Sequence, residues 1–148
     1  MLIDLQVDCP SELLAPTNFN STLVVGVLHA ARRGSENLWI VITIKKGGVI
    51  SVAGMTALEE IVPDAISALN PDVIAVADRV VWRMLYVGDR DSFYKNLEAG
   101  EVKISGDFRF FARYTMLLIE MTERTQLWGK LDLIVAQIIE ANNAAGNS

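Results

Sequence analysis

The chain holds one histidine and one cysteine among 148 residues, and that scarcity removes most familiar chemistries. A Ser-His-Asp or Cys-His arrangement has only His29 to draw on, and Cys9 lies in a separate N-terminal segment with no motif joining the two. A lone cysteine forms no internal disulfide, which fits a reducing cytosol. Zinc finds neither Cys-x-x-Cys nor a histidine pair, and Asp89-Arg90-Asp91 sets carboxylates on adjacent residues without the further ligands of a calcium loop. The glycines fall at turns and match no phosphate-cradling pattern, so no cofactor is implied. No catalytic residue and no metal ligand is assigned, and the chain is read as non-enzymatic.

Long apolar runs and positive charge are also lacking. The apolar stretches at 38–44 and 116–119 are too short to span a bilayer, so no transmembrane segment is expected. Met1-Leu2-Ile3-Asp4 has neither the basic start nor the apolar length of a secretory signal, and a cytoplasmic location is expected. The sequon Asn20-Ser21-Thr22 should then stay bare. A net charge of −5 and a pI near 4.8 repel phosphate backbones, while Arg32-Arg33 and Lys45-Lys46 are small pairs at turns. Nucleic acid is therefore excluded as a partner.

What is plentiful is apolar side chain. Hydrophobic residues are 51% against 21% charged, and the mean hydropathy is +0.32; that excludes disorder and leaves more than a minimal core for one domain. Thr22 to Ala31 is rich in β-branched residues, a turn follows at 32–37, and LWIVITI continues as a second strand. Lys45-Lys46-Gly47-Gly48 turns the chain tightly into a third, Val49 to Gly54, which should pair back on the second. In the second strand Leu38, Ile40, Ile42 and Ile44 point one way and Trp39, Val41, Thr43 and Lys45 the other, so helices belong on the first face. Leu23, Val25 and Val27 against Val24, Leu28 and Ala30 make the first strand apolar on both sides, so its second face should be covered by the N-terminal segment or another subunit.

Thr56-Ala57-Leu58-Glu59 matches a capping box, with short helical turns restarted at Pro63 and stopped at Asn70-Pro71. Val73 to Ala77 reads as a fourth strand, Asp78 as the cap of a helix Arg79 to Val87 ended by Gly88, and Asp91 as the cap of a helix ended by Gly100. Glu101 to Ser105 alternates as a fifth strand, with Val102 and Ile104 facing the core. After Asp107, FRFFARYTMLLIEM is a helix apolar over most of its girth, which needs burial against more than one neighbour. The last helix sets Leu131, Ile134, Val135, Ile138 and Ile139 on one side and frays from Asn142. Asp78, Asp91 and Asp107, each just before a predicted helix, read as caps rather than an acid/base pair, and His29 on an apolar strand reads as a structural imidazole.

The stretch Asp72 to Asp107, ending in Gly100-Glu101-Val102-Lys103-Ile104-Ser105-Gly106-Asp107, resembles the sterol carrier protein 2 family. Trp39-Ile40-Val41-Ile42-Thr43-Ile44-Lys45 and its glycine turn look like that family's central hairpin, so the likeness covers about 22–121. It implies an α+β fold, a five-stranded mainly antiparallel sheet with helices packed on one face, around a tunnel for fatty acyl chains, acyl-CoA, sterols or phospholipid. Residues 1–21 are then an N-terminal extension, 22–142 the domain and 143–148 a disordered tail.

From the apolar surplus, the expected function is carriage of a lipid or other apolar small molecule, such as a fatty acid or acyl-CoA. Its cavity would be lined by Val81, Leu85, Phe108, Phe111, Ala112, Thr115, Ile134 and Ile138. The alternative is an assembly or substrate-capture module for a partner enzyme, with a filled core, pairing as a homo-oligomer through Trp39, Val41 and the first strand.

Overall fold

A computed structural model describes residues 2–5, 20–30, 36–45, 49–107, 109 and 131–146. Among them are strands β1 (Ile3–Asp4), β2 (Ser21–Leu28), β3 (Asn37–Lys45), β4 (Val49–Ala57), β5 (Val73–Asp78) and β6 (Lys103–Gly106). The helices are α1 (Asp64–Ser67), α2 (Arg79–Tyr86), α3 (Arg90–Glu98) and α4 (Leu131–Gly146). The α+β class is the expected one. The sheet has six strands in the order β1-β4-β3-β2-β5-β6, against the expected five, because Ile3 and Asp4 pair with Gly54 and Ala53 on the outer edge of β4. A stretch read as an extension thus supplies an edge strand.

The meander β2-β3-β4 pairs as its alternation requires, with Val25 opposite Ile40 and Ile40 opposite Gly54. Successive side chains on a strand point to opposite faces, and both faces are put to use. Leu23, Val25, Val27, Leu38, Ile40, Ile42 and Ile44 share one buried cluster with Ile134, Val135 and Ile138 of α4 and Val81, Trp82 and Leu85 of α2. Val24, Trp39 and Val41 form a second cluster on the reverse face with Met55 and Ile66. Ala30, read as a reverse-face residue, belongs to the helix-side cluster. The strand ends at Leu28, and His29 adopts a left-handed φ of 55° that turns the chain before Ala30.

The one parallel pair, β2 with β5, follows from connectivity. β4 runs parallel to β2 and must cross β3 and β2 to reach the edge where β5 lies, so residues 58–72 pass over one face of the sheet. They pass over the reverse face, where Ile66 of α1 seats against Trp39 and Val41. The longer helices lie on the other side, as expected, and the single turn α1 is the exception to helices on one face. The crossover also displaces the expected capping box: Thr56 and Ala57 continue β4, opposite Leu38 and Asn37. Pairing with β3 outweighs a local cap signal. The same cover removes the proposed subunit interface, since Trp39 and Val41 are buried within the chain. Leu2 adds to that cover, in line with a contribution from the N-terminal segment.

Two caps stand as read and one shifts. Asp78 accepts from the amide of Val80 at 2.9 Å and starts α2. Helix α3 is capped by Asp89, whose carboxylate accepts from Ser92 at 3.2 Å, leaving Asp91 in the first turn. The next helix signal survives at its start, where Asp107 accepts from Arg109 at 3.0 Å. The last helix runs through Gly146, beyond the Asn142 at which fraying was expected.

Gly106 closes β6 with φ +94°, and any Cβ there would collide with the carbonyl oxygen of Asp72. That oxygen accepts from the amide of Asp107, so the approach is part of the pairing of β6 with β5. Gly106→Ala should therefore lower unfolding stability by about 1–3 kcal/mol. Urea denaturation reads the change, and an unchanged midpoint would mean the turn relaxes freely.

Candidate functional site

The helix-side face is where the described residues among those expected to line a cavity converge. On α2, Val81, Trp82 and Leu85 are buried while Val80 and Arg83 face outward, the spacing of a one-sided helix. Its seat is β5 and β2, where Ala75 and Ala77 are small enough to let the helix come close. The indole Nε1 of Trp82 donates to the carbonyl of Gly26 at 2.9 Å in the buried core. This bond fixes the height of α2 over the sheet. Phe93 of α3, fully buried, packs its ring 6.0 Å from that of Trp82.

Helix α4 sits at the other side, over β4. A Cβ on Gly54 would lie 3.2 Å from Cδ1 of Ile138 and 3.0 Å from Cδ1 of Leu5, so the bare backbone of Gly54 is what admits both. β3 lies between the seats of the two helices, and with β2, which α2 partly covers, it bears Leu38, Ile40, Ile42, Leu23 and Val25. Strands stand about 4.8 Å apart, which puts the seats of α2 and α4 roughly 12–14 Å apart, wider than the ~8–10 Å of directly packed helices. These floor residues are buried, and α2 and α4 flank them in one apolar cluster.

Of the residues expected to line a cavity, Val81 and Leu85 stand on α2 and Ile134 and Ile138 on α4, all buried in the same cluster. Phe108, Phe111, Ala112 and Thr115 lie outside the described residues, as does Cys9. Sequence reasoning missed Trp82, the residue that pins α2. Its signal was present: Val81, Trp82 and Leu85 at i, i+1 and i+4 make one apolar face, and a tryptophan there needs an acceptor for its N–H.

A second, polar constellation forms at one end of the sheet. His29 is past the strand rather than on it, with a side chain 59% exposed. Its Nδ1 lies 2.7 Å from an oxygen of Asp78 and its Nε2 3.4 Å from one of Glu60. The amide of His29 donates to Oδ1 of Asn37 at 3.0 Å, while Nδ2 of Asn37 donates to the carbonyls of Leu58 and Glu59. Arg79 donates to the carbonyl of Ala30 at 2.6 Å. Both ring nitrogens of His29 face carboxylates, and the arrangement ties the end of β2, the start of β3, the end of β4 and the start of α2. As chemistry it is a clamp, with buried Asn37 at its centre.

No protein-family model matches this chain, and no curated protein matches it. A solved structure described as "UbiJ-SCP2 Ubiquinone synthesis protein" is similar, at 20% sequence identity and a TM-score of 0.35. The likeness covers 66% of this chain and 66% of that one, so the chain spans less than two thirds of its length. At that identity and score it sets no ligand, partner or activity for this chain. Among the described residues no helix is long and apolar enough to cross a membrane.

The clamp makes a stability forecast. Asn37→Leu leaves the His29 amide and two carbonyls without their partner, and should cost about 2 kcal/mol. Asp78→Ala should cost about 1 kcal/mol through the lost cap, whereas Asp78→Asn, which can still cap, should cost a few tenths. Chemical denaturation of the three variants decides it; equal losses for Asn and Ala at position 78 would mean the cap is not what Asp78 supplies.

Proposed function

We propose that this domain binds an apolar small molecule, a lipid in the general sense, in the lane between α2 and α4, and carries it without altering it. The observation behind this reading is the seating of the two helices: each rests on glycine or alanine positions at the flanks of a sheet whose central strands carry large branched side chains. Such a lane binds by removing apolar surface from water, worth about 25 cal/mol per Å² before ordering costs, and needs few polar groups. Val81, Leu85, Ile134 and Ile138 are the walls in this proposal, and Phe108, Phe111, Ala112 and Thr115 would complete them. An acyl chain, as in a fatty acid or acyl-CoA, suits a site lined by branched aliphatic side chains. No catalytic group is invoked, since His29 is engaged with Asp78 and Glu60. A cytoplasmic place of work belongs to the same proposal.

Native mass spectrometry of the gently purified protein should show a retained apolar molecule, and a fluorescent fatty acid should be displaced by unlabelled oleate. Saturation to a hundredfold of Kd should stabilise the fold by about 2.7 kcal/mol. Leu85→Phe and Ile134→Phe narrow the lane from opposite walls, and each should weaken binding about tenfold while remaining folded. A protein that comes off the column empty, displaces nothing and gains no stability with oleate would end the carrier reading.

A further inference from the structure

Trp39 is fully buried, and among the described residues its indole Nε1 has no hydrogen-bond partner. An indole nitrogen only donates, and a donor withdrawn from water without an acceptor destabilises the fold. Nothing nearby relieves it: its cluster companions are Val24, Val41, Met55 and Ile66, with Leu2, Val62, Ile74 and Val76 at the margin. The ring is also held in place. Trp39 stands opposite Gly26 on β2, and a Cβ on Gly26 would lie 2.6 Å from its Cζ3, so the indole rests on the bare backbone there. Among the described residues it is a rigidly placed, unanswered donor in an apolar setting.

The cover over it is thin. Across residues 58–72, Ile66 is the single buried side chain. Both ends are tied by polar bonds: Asn37 holds the carbonyls of Leu58 and Glu59, and Asp72 accepts from the amide of Thr22 at 2.8 Å and the hydroxyl of Ser21 at 3.2 Å. Asn70, with φ 51°, sits near the second tie as a turn. Between the ties α1 is one turn long. Leu58 and Ile61, each 68% exposed, and Leu69, 46% exposed, give the cover apolar side chains that no part of the core uses.

We propose that the crossover is a hinged cover and that, when Ile66 lifts, an apolar ketone or ester takes its place with its carbonyl oxygen accepting from Nε1 of Trp39. The carbonyl answers the donor, the alkyl part replaces the isoleucine against Val24, Val41 and Met55, and Leu58, Ile61 and Leu69 close over the guest. The site lies on the opposite face of the sheet from the lane between α2 and α4 and stands independently of it.

The full chain labelled with ¹⁵N-tryptophan tests this by NMR. It has three tryptophans, and the indole resonance of Trp39 is the one lost in Trp39→Phe. Titration with 2-nonanone should move that resonance downfield while that of Trp82, already bonded to Gly26, stays in place. Nonane, which has no acceptor, should leave Trp39 unmoved. Ile66→Ala, by raising the population of the lifted cover, should tighten 2-nonanone binding severalfold, and Leu85→Phe should leave the titration unchanged. The proposal is overturned if saturating 2-nonanone fails to shift Trp39 in both the parent and Ile66→Ala, or if nonane shifts it equally. It is likewise overturned if the indole proton keeps a cross-peak to a resident water at saturation. Oleate displacement is a separate measurement, so either site can fail without the other.

Discussion

Burial of both faces of β2 and β3 is the constraint from which the remainder of the fold follows. The two central strands carry large apolar residues at odd and even positions alike, so neither face can be left to water. Two coverings are therefore required, and one chain supplies both. Helices α2, α3 and α4 take the face of Ile40 and Ile42, and the crossover 58–72 takes the face of Trp39. The parallel pairing of β2 with β5 is what makes the second covering available, because it obliges the chain to traverse the sheet between β4 and β5.

The two coverings differ in kind, and that difference shapes the functional reading. On the helix side, cover is thick and is anchored by buried contacts: Trp82 to Gly26, Phe93 against Trp82, Ile138 on Gly54. On the reverse side, among the described residues, the cover is a crossover with one turn of helix and one buried isoleucine, tied at its ends by Asn37 and Asp72, with Leu2 beside it. Cooperative opening starts where few apolar contacts must be released, so the crossover is the part of the described structure best placed to move. The clamp around His29 fixes one end of the crossover.

Most of the strands could be read directly. Period-two alternation in β3 assigned Leu38, Ile40, Ile42 and Ile44 to the helix side, and Asp78 announced α2 because an aspartate with no apolar role just before a periodic stretch is a cap. Three of the errors trace to what lies beyond the local sequence. Thr56 and Ala57 look like the start of a helix until β3 offers them partners; Ile3 and Asp4 look like nothing until the edge of β4 lies beside them; His29 looks like a strand residue until φ turns positive. Each was decided by a partner distant in the chain.

By itself, then, the order of residues settled what depends on local period and local capping: which side chains share a strand face, where α2 begins, that Val81 and Leu85 lie on one helix face and Ile134 and Ile138 on another. Only the folded arrangement decided that those two faces meet in one buried cluster, that Trp39 is shut under a crossover rather than offered to a second subunit, and that its N–H goes unanswered among the described residues. The reason is physical: periodicity reports the direction of a side chain relative to its own backbone. What stands opposite it is set by strand order and by the path the chain must take between strands, and no window of neighbouring residues contains that.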